Sequence, residues 1–180
     1  MYKIRIVEPF PCSVQETYEA TSRDFDPLAK YIPNVTLIKT LVHETLDDGR
    51  ERWALKFHGD GAIPLIARPV INPSMLRWKE ELVCNPKDMT IEWSIVTDHF
   101  TDHFKCVGIT YNREKPGGGS EVEVKGVMEL TLRHIPGFPD SLVQKAAALF
   151  EPFVGKLIEP NLRKFYQAVK KRMANESKIK

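Results

Sequence analysis

The sequence predicts an α+β fold in a single domain: seven strands, two short helices after the first strand and a long helix at the C-terminus. Three observations predict it. Hydrophobic alternation with a period of two recurs in six consecutive segments between Val35 and Arg133, clusters of turn-forming residues separate them, and beyond Ser141 the apolar residues return at helical spacing. The chain has 180 residues, long enough to bury one sizeable core. It is read as one domain over 1–175 with a short basic tail at 176–180.

The first strand is expected at Tyr2 to Val7, where Tyr2, Ile4 and Ile6 alternate with Lys3 and Arg5, and Pro9 and Pro11 should end it. Ser13 followed by Glu16 is a capping-box pattern and predicts a helix with Val14, Tyr18 and Thr21 on one side. Asp26 as N-cap with Pro27 at the first helical position predicts a second helix, which must stop by Ile32 because Pro33 follows. Strands are then expected at 35 to 46, 50 to 58, 76 to 84, 89 to 98, 103 to 113 and 121 to 133. Asp47-Asp48-Gly49, Asn85-Pro86-Lys87-Asp88 and Pro116-Gly117-Gly118-Gly119 supply turns between them, so these six strands form an antiparallel meander. Ser141 with Gln144 is a second capping box. It opens a long helix with Val143, Ala146, Ala147, Phe150, Phe153, Val154, Leu157 and Ile158 on one face, and Pro152 and Pro160 should each kink or break it.

Composition excludes several classes. A net charge of +2 is too small to suggest a nucleic-acid partner, and no apolar run approaches the length of a membrane span or of a signal peptide. Cys12, Cys84 and Cys106 are odd in number and form no C-x-x-C pair, so a reduced, cytoplasmic protein is expected. There is no G-x-S-x-G elbow, H-E-x-x-H, P-loop or strand-associated G-x-G-x-x-G, and His43, His58 and His134 stand alone in sequence. No catalytic residue, metal site or cofactor is assigned.

The stretch TDHFTDHF at 97 to 104 places His99 and His103 four residues apart, a spacing that shares a face in a helix and in a strand alike. It lies between two alternating strands and is read as a hairpin tip, with a metal or proton-transfer site as the alternative. With His99 to Asp102 as the loop, Ile95 faces Cys106 and Trp93 faces Gly108, which keeps small and apolar residues on one side.

The alternation also defines an inner face. Trp53, Leu55 and Phe57 share one side of their strand, as do Leu76, Trp78, Glu80 and Leu82, then Ile91, Trp93 and Ile95, then Val122, Val124, Met128 and Leu130. All three tryptophans fall on this face, opposite a helix that offers Ala146, Ala147, Ala148 and Gly155 among its larger residues. Either the aromatics fill a solid core, at about 1.5–3 kcal/mol each, or they surround a ligand space. Glu80 is the exception among them: a carboxylate between Trp78 and Leu82 on a buried face needs a partner or a raised pKa. It would orient a polar ligand group or serve as an acid, unless the register is shifted by one residue or the strand is wet there.

The order strand, two helices, six-stranded meander and long C-terminal helix resembles the helix-grip fold of the START-like superfamily. That resemblance implies a curved seven-stranded sheet wrapping the last helix around an apolar cavity. The layout is also similar to that of PRELI-type lipid-transfer proteins, through Phe10-Pro11 before the first helix, Lys30-Tyr31-Ile32-Pro33-Asn34 beside a Lys-Tyr-Pro-Asn signature, Asp48-Gly49 in the first hairpin and Trp78-Lys79-Glu80-Glu81 in the fourth strand. Ile32 interrupts the signature, and Cys84-Asn85-Pro86 stands where that family tends to place an acidic residue before proline.

The expected lining is Trp53, Leu55, Phe57, Trp78, Glu80, Trp93, Ile95, Met128 and Leu130 from the sheet, with Phe150, Phe153 and Leu157 from the helix. Residues 59 to 75 form a long apolar connection that is either a lid over the cavity mouth that also touches a membrane surface or a short helix docked on the sheet. The basic residues Arg163, Lys164, Lys170, Lys171, Arg172, Lys178 and Lys180 are either a solvated helix end or a site of transient contact with an anionic membrane surface. The function expected is binding or transfer of a lipid or other hydrophobic small molecule. A cyclase, aromatase or hydratase on the same fold and a co-chaperone-like interaction module are the alternatives.

Overall fold

The computed structural model describes residues 1–60, 77–98, 104–130 and 140–177, and within these the side chains of all but 130, 140 and 142–158. Seven strands are present: β1 Tyr2–Phe10, β2 Val35–Thr45, β3 Glu51–Gly59, β4 Arg77–Asn85, β5 Thr90–Thr97, β6 Phe104–Glu114 and β7 Ser120–Leu130. They form one antiparallel sheet in the order β1-β7-β6-β5-β4-β3-β2. Helix α1 spans Val14–Ser22, a 3-10 helix spans Asp26–Tyr31, and helix α2 runs from Asp140 to Ser177.

Each boundary has a local cause. The capping box is formed in full, with Glu16 N–H donating to Ser13 Oγ at 3.2 Å and Ser13 N–H to Glu16 Oε2 at 2.9 Å. In the first hairpin Leu46 N–H donates to the Arg50 carbonyl at 2.8 Å, and Gly49 takes the positive φ of 84° that the turn requires. The β5–β6 register pairs Trp93 with Gly108 and Ile95 with Cys106, as the alternation implies. His99 to His103 themselves lie outside the described residues, as does all of the 59–75 connection beyond Asp60.

Three expectations are corrected. Pro9 does not end the first strand, which continues to Phe10 with Pro9 opposite Glu121. An edge strand has one side free of ladder bonds, so a missing N–H is tolerated there. The second helix is a 3-10 helix with Phe25 at its N-cap position. Asp26 does not cap it but accepts from Thr40 N–H at 2.9 Å and Thr40 Oγ1–H at 2.6 Å, tying the element to β2. Finally, α2 continues through both Pro152 and Pro160 for 38 residues, so neither proline breaks it. Each proline forfeits one backbone bond, and the docking of α2 on β1, β7, α1 and the 3-10 helix holds the helix together.

The sheet has a concave, helix-facing side made of the even residues of β1, β4, β6 and β7 and the odd residues of β3 and β5. Cross-strand partners place them in rows. One row reads Trp53, Leu82, Trp93, Gly108, Gly126, Ile4, and the next reads Leu55, Glu80, Ile95, Cys106, Met128, Tyr2. Helix α1 closes one end of this face through buried polar contacts: Thr17 Oγ1 with Ser120 Oγ at 2.6 Å, and Thr21 Oγ1 with Asn112 Oδ1 at 3.3 Å. Helix α2 crosses it and is anchored by Glu8 of β1, which accepts from Arg163 at 2.6 Å and Lys170 at 3.0 Å.

Candidate functional site

Eight of the twelve expected lining residues can be placed by side chain, and all eight lie on the concave face. Trp53, Leu55, Phe57 and Met128 are buried, whereas Trp78, Glu80, Trp93 and Ile95 are half-buried. The side chains of Leu130, Phe150, Phe153 and Leu157 lie outside the described residues. The four half-buried residues are contiguous on β4 and β5, since Glu80 pairs with Ile95 and Leu82 separates Trp78 and Glu80 from the level of Trp93. They keep accessible surface, next to residues that keep almost none.

The aromatic groups are arranged around this patch. Trp78 stacks on Phe57 with ring centroids 5.1 Å apart and planes 10° apart. Trp93 lies down across two neighbouring strands: its ring atom Cε2 would be 2.8 Å from a Cβ on Gly108, and its Cη2 would be as close to one on Gly126. A side chain reaching from β5 to β7 must lie along the sheet, and only the paired glycines Gly108 and Gly126 leave room for it. Trp53 sits nearer the α1 end, edge-on to Phe25 at 5.3 Å and stacked on His43 at 3.5 Å, with its indole nitrogen buried and without a partner among the described residues.

Glu80 carries the polarity of the patch. Its Oε1 accepts from Trp78 Nε1 at 3.0 Å, while its row neighbours are Leu55, Ile95, Cys106 and Met128. Burial raises its pKa from 4.5 to about 7, and the Trp78 hydrogen bond pulls the other way without cancelling that rise. The expectation of an inward-facing Glu80 with a raised pKa therefore holds, and the one-residue register shift is excluded.

Two further groups belong to this neighbourhood. Tyr166 of α2 is buried, lies 3.3 Å from Thr110 Oγ1, and has its pKa raised by burial, with the Glu80 and Glu8 charges adding to the shift. Cys106 is fully buried and its thiol is pushed up to about 12 by burial and by Glu80, which makes it an inert core residue. Tyr166 continues the helical period through Leu162 and Val169. The apolar face expected from the sequence runs to Ile158 and stops short of Tyr166. The isolated strand glycines Gly108 and Gly126 were the available signal for the flat Trp93.

The basic C-terminal stretch is corrected in part. Arg163 and Lys170 turn inward to Glu8, and Arg172 is buried with its guanidinium on the carbonyls of Ala20, Arg23 and Asp24. These three cations serve packing of α2 against β1 and α1. Lys178 and Lys180 lie outside the described residues.

No family model and no curated protein matches the sequence. Solved structures do match over nearly the whole chain. A protein from Thermus thermophilus superposes with a TM-score of 0.66 at 19% identity, covering 97% of this chain and 99% of the other. The chain carries a helix-grip fold. The Zhui aromatase/cyclase from Streptomyces sp. R1128 gives a TM-score of 0.65 at 13% identity over 94% of this chain and 92% of its own. Ara h 8.0201 gives 0.56 at 13% identity over 97% and 98%. At these identities the helix-grip architecture is what is shared. Among the described residues no helix is long and apolar enough to cross a membrane.

Proposed function

We propose that the protein binds or transfers a hydrophobic small molecule or lipid held between the concave face of the sheet and α2. One observation carries this reading: Trp78, Glu80, Trp93 and Ile95 face the helix side of the sheet yet keep accessible surface, while Leu55, Leu82, Cys106 and Met128 beside them are buried. Apolar surface left open on an inner face is what a ligand would cover. The test is native mass spectrometry of the purified protein followed by organic extraction, together with titration of a fluorescent fatty acid and a planar aromatic probe. Saturable binding with quenching of tryptophan emission is expected, and Ile95→Trp, which fills the patch, should weaken it at least tenfold. Absence of any co-purifying molecule and of binding by both probes would overturn the reading.

A second reading, an enzyme of the aromatase or cyclase kind, is favoured by Glu80 alone. A carboxyl whose pKa lies near neutrality can both give and take a proton. Turnover of an aromatisable polyketone that is lost in Glu80→Gln would move the assignment from binding to catalysis.

A further inference from the structure

The chemistry of the open patch narrows what it accepts. Its floor is Trp93, laid along the sheet over the bare backbone of Gly108 and Gly126, so one broad indole face is held parallel to the strands and Trp93 remains half-buried. Its side is the stacked pair Phe57 and Trp78. Extended acyl chains gain nothing particular from a fixed aromatic plane, whereas a flat ring system stacks on it and gains contact over its whole face. Two glycines at one cross-strand pair cost strand stability, and the flat placement of Trp93 is what that cost allows.

The polar group beside the floor has a defined valence. Trp78 Nε1 donates to Glu80 Oε1 at 3.0 Å, so that oxygen is occupied as an acceptor and the proton of the neutral acid resides on Oε2. Among the described residues no other hydrogen bond reaches the carboxyl, and no cation faces it. Among the described residues the titratable groups packed around it are Cys106 on β6 and Tyr166 on α2, with Glu8 farther along β1. Cys106 and Tyr166 have raised pKa values, and Glu8 is already held by Arg163 and Lys170. A neutral carboxylic acid with one oxygen satisfied is a hydrogen-bond donor seeking an acceptor.

Resting on the binding function proposed above, we infer that the ligand is a flat aromatic or conjugated ring system bearing a carbonyl oxygen, its rings stacked on Trp93 and its oxygen accepting a hydrogen bond from Glu80. The acid acts by donation alone, and no bond is made or broken in the ligand.

Prodan, a naphthyl ketone whose emission moves to the red when its carbonyl accepts a hydrogen bond, tests this with the intact chain. Its controls are the same dimethylaminonaphthalene without the acyl group and a fluorescent fatty acid. The ketone should bind about tenfold more tightly than its acyl-free analogue at pH 6, with red-shifted emission. That preference should fall about tenfold by pH 8, as Glu80 ionises around pH 7. Glu80→Gln keeps a donor and should retain the preference with no pH dependence, whereas Glu80→Leu should bind both naphthalenes equally. Trp93→Leu should lose both naphthalenes and keep the fatty acid. Equal binding of ketone and analogue by the natural protein, or ketone binding that strengthens as pH rises, overturns the inference. Binding of the fatty acid alone also overturns it and leaves the binding function standing. Failure of all three probes overturns the inference, and with no molecule co-purifying it overturns the binding function too.

Discussion

The six-membered ring of Trp93 rests on the backbone of Gly126, two strands away: a methyl group there would stand 2.7 Å from Trp93 Cη2 and 2.8 Å from the Val107 carbonyl oxygen. Gly126→Ala is therefore expected to force the indole off the sheet, at a cost of about 1–3 kcal/mol. Chemical denaturation measures the loss, and near-ultraviolet circular dichroism reports the changed indole. Adding Trp93→Leu should recover part of it, since only the ring contact is relieved and the Val107 contact stays.

Glu80 is expected to make stability fall between about pH 5 and 8. Its folded pKa of about 7 lies above the ordinary 4.5, so below 4.5 the acid is neutral in both states and nothing is lost. As pH rises through this window the unfolded chain releases the proton first, and the folded state is penalised by an amount on the order of 3 kcal/mol. Glu80→Gln removes the penalty, so the variant's stability advantage over the natural protein should grow with pH across this range. A difference that stays flat from pH 5 to 8 would show that Glu80 titrates normally.

Glu8 has the opposite sign. Burial alone would raise its pKa, but the hydrogen bonds from Lys170 and Arg163 together outweigh it and the net shift is downward. Its stabilisation is complete above the ordinary value of 4.5 and is lost as pH falls below it. Glu8→Gln should cost about 1–3 kcal/mol at neutral pH, less than a fully buried pair because Arg163 is partly in solvent. The gap between the urea midpoints of the two proteins at pH 7 should narrow progressively as pH falls below 4.5.

Arg172 is expected to behave as a buried clamp. Its Nη2 donates to the Ala20 carbonyl at 2.7 Å, and its Nη1 reaches the carbonyls of Arg23 and Asp24 at the end of α1. Arg172→Met should cost about 2–4 kcal/mol by leaving those acceptors unpaired. Arg172→Lys should recover little, because one ammonium cannot span three carbonyls. Amide exchange over residues 20–28 should accelerate in both variants.

Strand positions were readable in the sequence because one face of each strand is buried, and a register slip would have turned Trp53, Leu82 and Trp93 outward together. The inward carboxyl at Glu80 followed from the same alternation. What alternation cannot convey is contact between distant elements. Asp26 looked like a cap because its local spacing was right, and its bonds to Thr40 depend on where β2 passes. Tyr166 lies beyond the apolar face followed to Ile158, and its place beside Thr110 depends on how α2 docks on the sheet. The inward turn of Arg163 and Lys170 likewise needed the position of Glu8, 155 and 162 residues away.

Among the described residues the only strand neighbour of β1 is β7, with Tyr2 opposite Met128 and Phe10 opposite Ser120. Every other strand can zip onto the one made just before or after it, but the first of the seven to leave the ribosome has to wait for the last. Until β7 is synthesised, Ile4 and Ile6 have no sheet to join, and closing that pair costs the entropy of a loop of more than a hundred residues. Folding should therefore be late and abrupt, completed only when β7 and the helix that Glu8 anchors have both emerged. A nascent chain arrested before Leu130 should be a ready client for chaperones.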